Sequence, residues 1–179
     1  MHSLFSRRNT KNLCLSALIA ALYAALTLAF QPISYGAVQF RISEALTLLP
    51  VLFPQAVPGL TLGCLISNLF NPMGATVYDV VFGTLATLLA CLLTYKLRDI
   101  RVKGLAIPAS LPPVVFNMII VGAFEITFFF SDGAPTAALA AFNAVTVGIG
   151  EIISCTVLGV ALVKLIESNA ALHKFFTEE

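Results

Sequence analysis

The chain alternates long apolar runs with short polar interruptions. A membrane-crossing helix needs about 20 mainly apolar residues, with about 17 tolerated. The run 13–31 meets that length and Pro32 ends it; 78–95, 105–130 and 135–166 meet it as well. The stretches 42–57 and 58–70 are apolar but short, and Pro50, Pro54 and the Pro58-Gly59 pair interrupt them. They are expected to be tilted spans or a hairpin that does not fully cross. The pattern therefore predicts an all-α integral membrane protein, a six-transmembrane-helix bundle forming a single membrane domain over 1–179. The first run exceeds the roughly 7–15 residues of a signal-peptide core, and no small-x-small site follows it, so it is expected to be a retained first helix.

Composition agrees with this pattern. Hydrophobic residues make up 59% of the chain and charged residues 11%, against roughly 25% charged in a soluble domain. A soluble domain of this length could not bury so much apolar surface. A net charge of +1 makes nucleic acid a poor partner. Cys14, Cys64, Cys91 and Cys155 are far apart in apolar runs and read as small hydrophobes, and His2 and His173 lie near the two ends. No metal or cofactor site is expected.

Lysine and arginine set the orientation. Arg7, Arg8 and Lys11 precede the first run, Lys96, Arg98, Arg101 and Lys103 fill the fourth connection, and Lys164 and Lys174 follow the last. Six spans put all of them on one side, which the positive-inside rule makes cytoplasmic, with both termini. Arg41 alone falls on the other side.

With that orientation, polar residues collect toward the outer half. They are Tyr35, Gln39, Arg41 and Glu44 after the first helix, Asn68 at the end of the third, and Tyr78 and Asp79 at the start of the fourth. Glu125 lies in the outer part of the fifth helix, Asn143 in the outer half of the sixth and Glu151 near mid-depth, while Asn117 is deeper. A charge in the bilayer centre costs at least about 3 kcal/mol and needs a partner or a cavity. Asn117 or Asn143 could satisfy the glutamates, Arg41 and Glu44 could simply pair, and Asn68 could be a helix-end residue. Otherwise these groups hold a ligand. A separate row, Ala17, Ala21 and Ala25, continued by Ala29, recurs every four residues on one helix face. Small residues at that spacing let two membrane helices approach closely, within the bundle or against a partner.

Catalytic signatures are weak. There is no Walker A motif, Ser-His-Asp set or HExxH. Tyr78-Asp79 and Gly148-Ile-Gly-Glu151 echo intramembrane aspartic proteases, but the second acid is glutamate. Asp79 and Glu151 are also expected at different depths, whereas a catalytic dyad shares a proton across about 3 Å.

Four stretches carry a family resemblance: Leu18-Ile-Ala-Ala-Leu-Tyr-Ala-Ala-Leu-Thr27, Pro32-Ile-Ser-Tyr-Gly-Ala-Val-Gln-Phe-Arg-Ile-Ser-Glu-Ala-Leu-Thr-Leu-Leu-Pro50, Gly59-Leu-Thr-Leu-Gly-Cys-Leu-Ile-Ser-Asn-Leu-Phe70 and Asp79-Val-Val-Phe-Gly-Thr-Leu-Ala-Thr-Leu88. Together they resemble the QueT family, S components of energy-coupling factor (ECF) transporters associated with queuosine precursors. The resemblance implies a six-helix subunit of the cell membrane that captures a small molecule from outside. It implies docking through small first-helix residues onto a membrane scaffold driven by two cytoplasmic ATPases. It also implies a ligand held near the outer surface by the first and third outer loops and the last three helices. A deazaguanine suits the residue types. A carboxylate accepts paired N–H donors, Asn or Gln reads a carbonyl, and Tyr35, Phe40 and Tyr78 offer walls for a planar ring. A cationic aminomethyl arm would suit Asp79 or Glu44.

Overall fold

The computed structural model describes residues 7–34, 40–71, 77–131 and 134–177. Among them the regular structure is helical, with one isolated bridge between Val102 and Leu105 in a connection. The main helices are α1 (Arg7–Ala29), α2 (Ile42–Val51), α3 (Ala56–Leu69), α4 (Asp79–Lys96), α5 (Ile107–Phe130), α6 (Ala137–Ser168) and α7 (Ala170–Thr177). Four of these elements, α1, α4, α5 and α6, are long and apolar enough to cross a membrane. Helices α2 and α3, at 10 and 14 residues, each reach only about 20 Å, less than the roughly 30 Å hydrocarbon core.

Cross-helix contacts fix the directions. Thr27 meets Ser43 while Ser16 meets the Gln55 carbonyl, so α2 runs against α1. Gly59 lies against Ser16 and Gly63 against Ala20, so α3 runs with α1. Asn68 reaches Asp79 and Cys64 reaches Thr87, turning α4 against α3. Thr94 bonds Ala109, and Gly122 abuts Asn143 while Ser110 bonds Thr156, which reverses α5 and then α6. The six elements thus alternate in direction. The 97–106 connection and the end of α6 share one end of the bundle, tied by Arg101 to Glu167 at 2.7 Å.

Helix α2 is the centre of the molecule. It is a 3₁₀ helix in which Ser43 through Val51 are all buried. Three residues per turn give it three separate faces. Leu46 and Leu49 join Ile19, Tyr23, Leu60 and Cys64 of α1 and α3. Leu48 and Val51 join Ala109, Val114, Val160 and Val163 of α5 and α6. Glu44 and Thr47 form the third face, which is polar. Irregular backbone at membrane depth is tolerated when protein covers it, and here protein covers α2 from Ser43 to Val51.

Prolines explain the breaks. The chain interrupts between Val51 and Ala56, at Pro54, rather than at the 57/58 boundary suggested by Pro58-Gly59. Pro58 sits in the first turn of α3, where its missing N–H has no intrahelical acceptor to lose. In α5, Pro113 cannot donate to the Ala109 carbonyl, and the Thr94 hydroxyl donates to it instead at 2.9 Å. Beyond the prolines the helix widens into a π-helix over Asn117–Phe130. Similar π stretches span Asp79–Gly83 in α4 and Ile152–Gly159 in α6.

Candidate functional site

The polar face of α2 opens the site. Glu44 is fully buried and its Oε1 accepts from the Tyr23 hydroxyl of α1. Its Oε2 is buried without a hydrogen-bond partner. Near it stands Glu151 of α6, whose Oε2 accepts from the Cys155 thiol at 3.1 Å; Asn117 of α5 lies beside it, its Nδ2 buried without a hydrogen-bond partner. Cys155 further approaches the Glu44 carbonyl at 3.4 Å and the Thr47 hydroxyl at 3.5 Å. One ligand-type atom from each of Glu44, Glu151 and Cys155 lies within 4.8 Å of the other two.

A second group lies toward the start of α4. The Asp79 carboxyl is within hydrogen-bonding reach of Glu125, which is buried and whose Oε2 has no partner. A hydrogen-bond donor placed between two carboxyls this close could serve both. Asn68 is fully buried; its amide donates to the Asp79 carbonyl at 3.0 Å, and its Oδ1 has no partner. Asn143 donates to the Thr127 hydroxyl at 3.0 Å. Arg41, buried, donates through Nε to the Ser34 carbonyl at 3.3 Å and lies within electrostatic range of Glu44, Glu125 and Glu151. It therefore links the two groups.

Aromatic rings flank the second group. Tyr78 stacks on Phe129 with ring centroids 3.9 Å apart and planes 17° apart. Phe82 and Phe124 extend the set, each within 6 Å of Phe129. Tyr78, Phe124 and Phe129 remain exposed, so the rings form a surface open at one side.

Of the residues singled out in the sequence, the structure groups Glu44 with Glu151, and Asn68 with Asp79 and Glu125, with Arg41 in range of both groups, whereas Tyr78 stacks on Phe129 and Asn143 bonds Thr127. Tyr35 and Gln39 lie outside the described residues. Sequence reasoning missed Tyr23, Cys155 and Phe129 as site residues. Cys155, read as a plain hydrophobe, has its sulfur in the polar cluster instead. The protease-like pairing of Asp79 with Glu151 is not what the structure brings together. Asp79 meets Glu125, and Glu151 meets Cys155. On α1, Ala17, Ala21 and Ala25 are exposed along one face, whereas Ala20 and Ala24 are buried on another.

A family model described as QueT transporter matches residues 13–168. A relative from Lactococcus lactis subsp. cremoris (strain MG1363), "Queuosine precursor transporter QueT", is 36% identical over 95 residues. That alignment covers 52% of this chain and 54% of the relative, so the chain spans about half the length of the curated relative it matches. No solved structure matches the chain.

Proposed function

Because the chain belongs to the QueT transporter family, a family of transporters rather than enzymes, we propose that it is the substrate-capture S component of an ECF-type importer. Its ligand is a queuosine precursor, a deazaguanine base taken from the outer side. One observation carries this reading: Glu125 Oε2 and Asn68 Oδ1, both beside Asp79, and Glu44 Oε2 on α2 are buried acceptors without hydrogen-bond partners. A buried acceptor without a donor costs about 1–3 kcal/mol. A ligand edge rich in N–H donors removes that cost. The guanine-like edge meets Glu125 beside Asp79, Asn68 and Asn143 complete the polar rim, and the ring lies against Tyr78 and Phe129.

The same reading takes α1 to α6 as the six membrane helices, α2 and α3 each crossing only part of the core, with both termini in the cytoplasm of a multi-pass cell-membrane protein. Alternating helix directions and basic residues gathered at one end support it. The exposed Ala17, Ala21 and Ala25 face docks on the ECF membrane scaffold, and through it the subunit is driven by two ATPases. Native mass spectrometry of the purified protein tests the substrate. A retained deazaguanine is expected. A different retained heterocycle would reassign the ligand within the same class, and concentrative uptake in a host lacking ECF scaffold and ATPases would overturn the S-component assignment.

A further inference from the structure

Two acidic groups surround the proposed ligand, and a neutral base edge uses only one of them. Paired N–H donors of a guanine-like edge need one carboxylate, which Glu125 provides. Glu44 and Glu151 form the other group, both buried. Among the described residues, the buried set Glu44, Glu125 and Glu151, with the half-buried Asp79 beside it, is accompanied by a single buried basic residue, Arg41. Burying charge without compensation is expensive, and positive charge is in short supply here.

Local geometry is more specific than the charge count. Glu44 uses one oxygen for the Tyr23 hydroxyl and holds the other, Oε2, buried and without a partner. The acceptor atoms of Glu44, Glu151 and Cys155 are no more than 4.8 Å apart. A point at the centre of such a triangle lies no more than about 2.8 Å from each corner, the length of an N⁺–H···O⁻ hydrogen bond. A primary ammonium has three rotatable N–H donors and no acceptor, so it matches three convergent acceptors. A metal ion fits less well. A metal would require the Cys155 thiolate and displace the contacts its sulfur makes with Glu151 and the Glu44 carbonyl, whereas an ammonium leaves the thiol in place.

We propose that Glu44, Glu151 and Cys155 form a subsite for a protonated amine carried by the substrate, so that the protein selects a deazaguanine with a primary aminomethyl arm over its neutral, nitrile-bearing counterpart. The inference rests on the base class proposed above and adds the side-arm specificity. The Tyr23 hydroxyl holds Glu44 in place, and the 3₁₀ backbone of α2 turns Glu44 and Thr47 to the same side. Neither residue contacts the ring.

Binding of three probes to the purified full chain tests this: 7-aminomethyl-7-deazaguanine, 7-cyano-7-deazaguanine and unsubstituted 7-deazaguanine. The aminomethyl base is expected to bind at least about tenfold more tightly than the nitrile, the smallest effect of a charge-assisted hydrogen bond. Glu44→Gln retains a carbonyl for Tyr23 but loses the charge, and should bring the amine-to-nitrile ratio close to one. Glu151→Gln should lower it in the same direction, and the wild-type ratio decides the matter if either variant fails to fold. Equal affinity for amine and nitrile in the wild type would overturn the arm subsite while leaving the base assignment intact. Failure of all three bases to bind would overturn both. One equivalent of tightly held Zn²⁺, lost in Glu44→Gln, would replace the amine subsite with a metal site.

Discussion

The two sides of the bundle are built differently. Helices α1 and α3 are regular α-helices pressed together by small residues. A Cβ on Gly63 would come within 2.8 Å of both the Ala20 carbonyl and the Tyr23 Cβ. Helices α4, α5 and α6 each contain a π stretch instead, and each stretch carries or adjoins a carboxyl. Asp79 opens one, Glu125 lies within another, and Glu151 immediately precedes the third. A π turn takes in an extra residue, so it rotates the remainder of the helix and turns a side chain inward without ending the helix. Regular packing gives one side rigidity, and widened turns give the other a polar interior behind an apolar exterior.

The largest expected effect breaks the rigid side. Gly63→Leu forces a side chain into backbone, and overpacking of this kind costs about 3 kcal/mol or more. The variant should show a sharply lowered melting temperature in detergent, or no folded protein. A stable Gly63→Leu protein would mean that α1 and α3 separate easily and that their contact is not the bundle's anchor.

The opposite face of α1 sharpens the contrast. Ala21 is exposed, so Ala21→Trp should fold and bind ligand normally. A large side chain there holds a neighbouring helix away. Copurification with the ECF scaffold, and uptake with it, should be lost. Intact copurification would place the docking surface elsewhere.

On the widened side the effect is smaller and confined to ligand. Glu125→Gln replaces an acceptor-only carboxylate by a mixed donor and acceptor, and should weaken deazaguanine binding by about 1.5–3 kcal/mol, roughly 10- to 150-fold. Its melting temperature without ligand should hold or rise, because the neighbouring Asp79 carboxyl then meets an amide donor. Unchanged binding in titration calorimetry would move the base edge to Asp79.

Much of this architecture was legible in the sequence, but unevenly. The long spans were: 78–95, 105–130 and 135–166 lie close to Asp79–Lys96, Ile107–Phe130 and Ala137–Ser168, because uninterrupted apolar length is a direct signal. The break at Pro54 was not, since a proline marks a helix start as readily as a stop. Nor was the 3₁₀ period of α2, because its polar residues, Ser43, Glu44 and Thr47, fit one face of an α-helix equally well. Glu125 and Glu151 stood out because carboxyls are costly in lipid. Tyr23 and Cys155 did not. Each looks like ordinary apolar filler until the fold brings Glu44 to it, across 21 and 111 positions of chain.

Phe129 is the same kind of case and gives the smallest expected effect. It lies in a run of three phenylalanines, and such a run reads as lipid-facing bulk. In the fold it stacks on Tyr78, beside Asp79 and on the same helix as Glu125. A planar base can lie against this pair, or slide between the two rings. Either contact contributes about 0.5–1.5 kcal/mol beyond buried area, by analogy with aromatic pairs. Phe129→Leu keeps the side chain apolar and close in volume while removing the flat face. Affinity for a deazaguanine should fall about 2- to 12-fold, with little change in melting temperature, because Phe129 is partly exposed. Tyr78→Leu should do the same, and the double variant should cost less than the sum if both rings hold one base. Strictly additive losses in a double-mutant cycle would mean that the rings act separately. The stack would then be wall packing at the mouth of α4 rather than part of the ligand's seat.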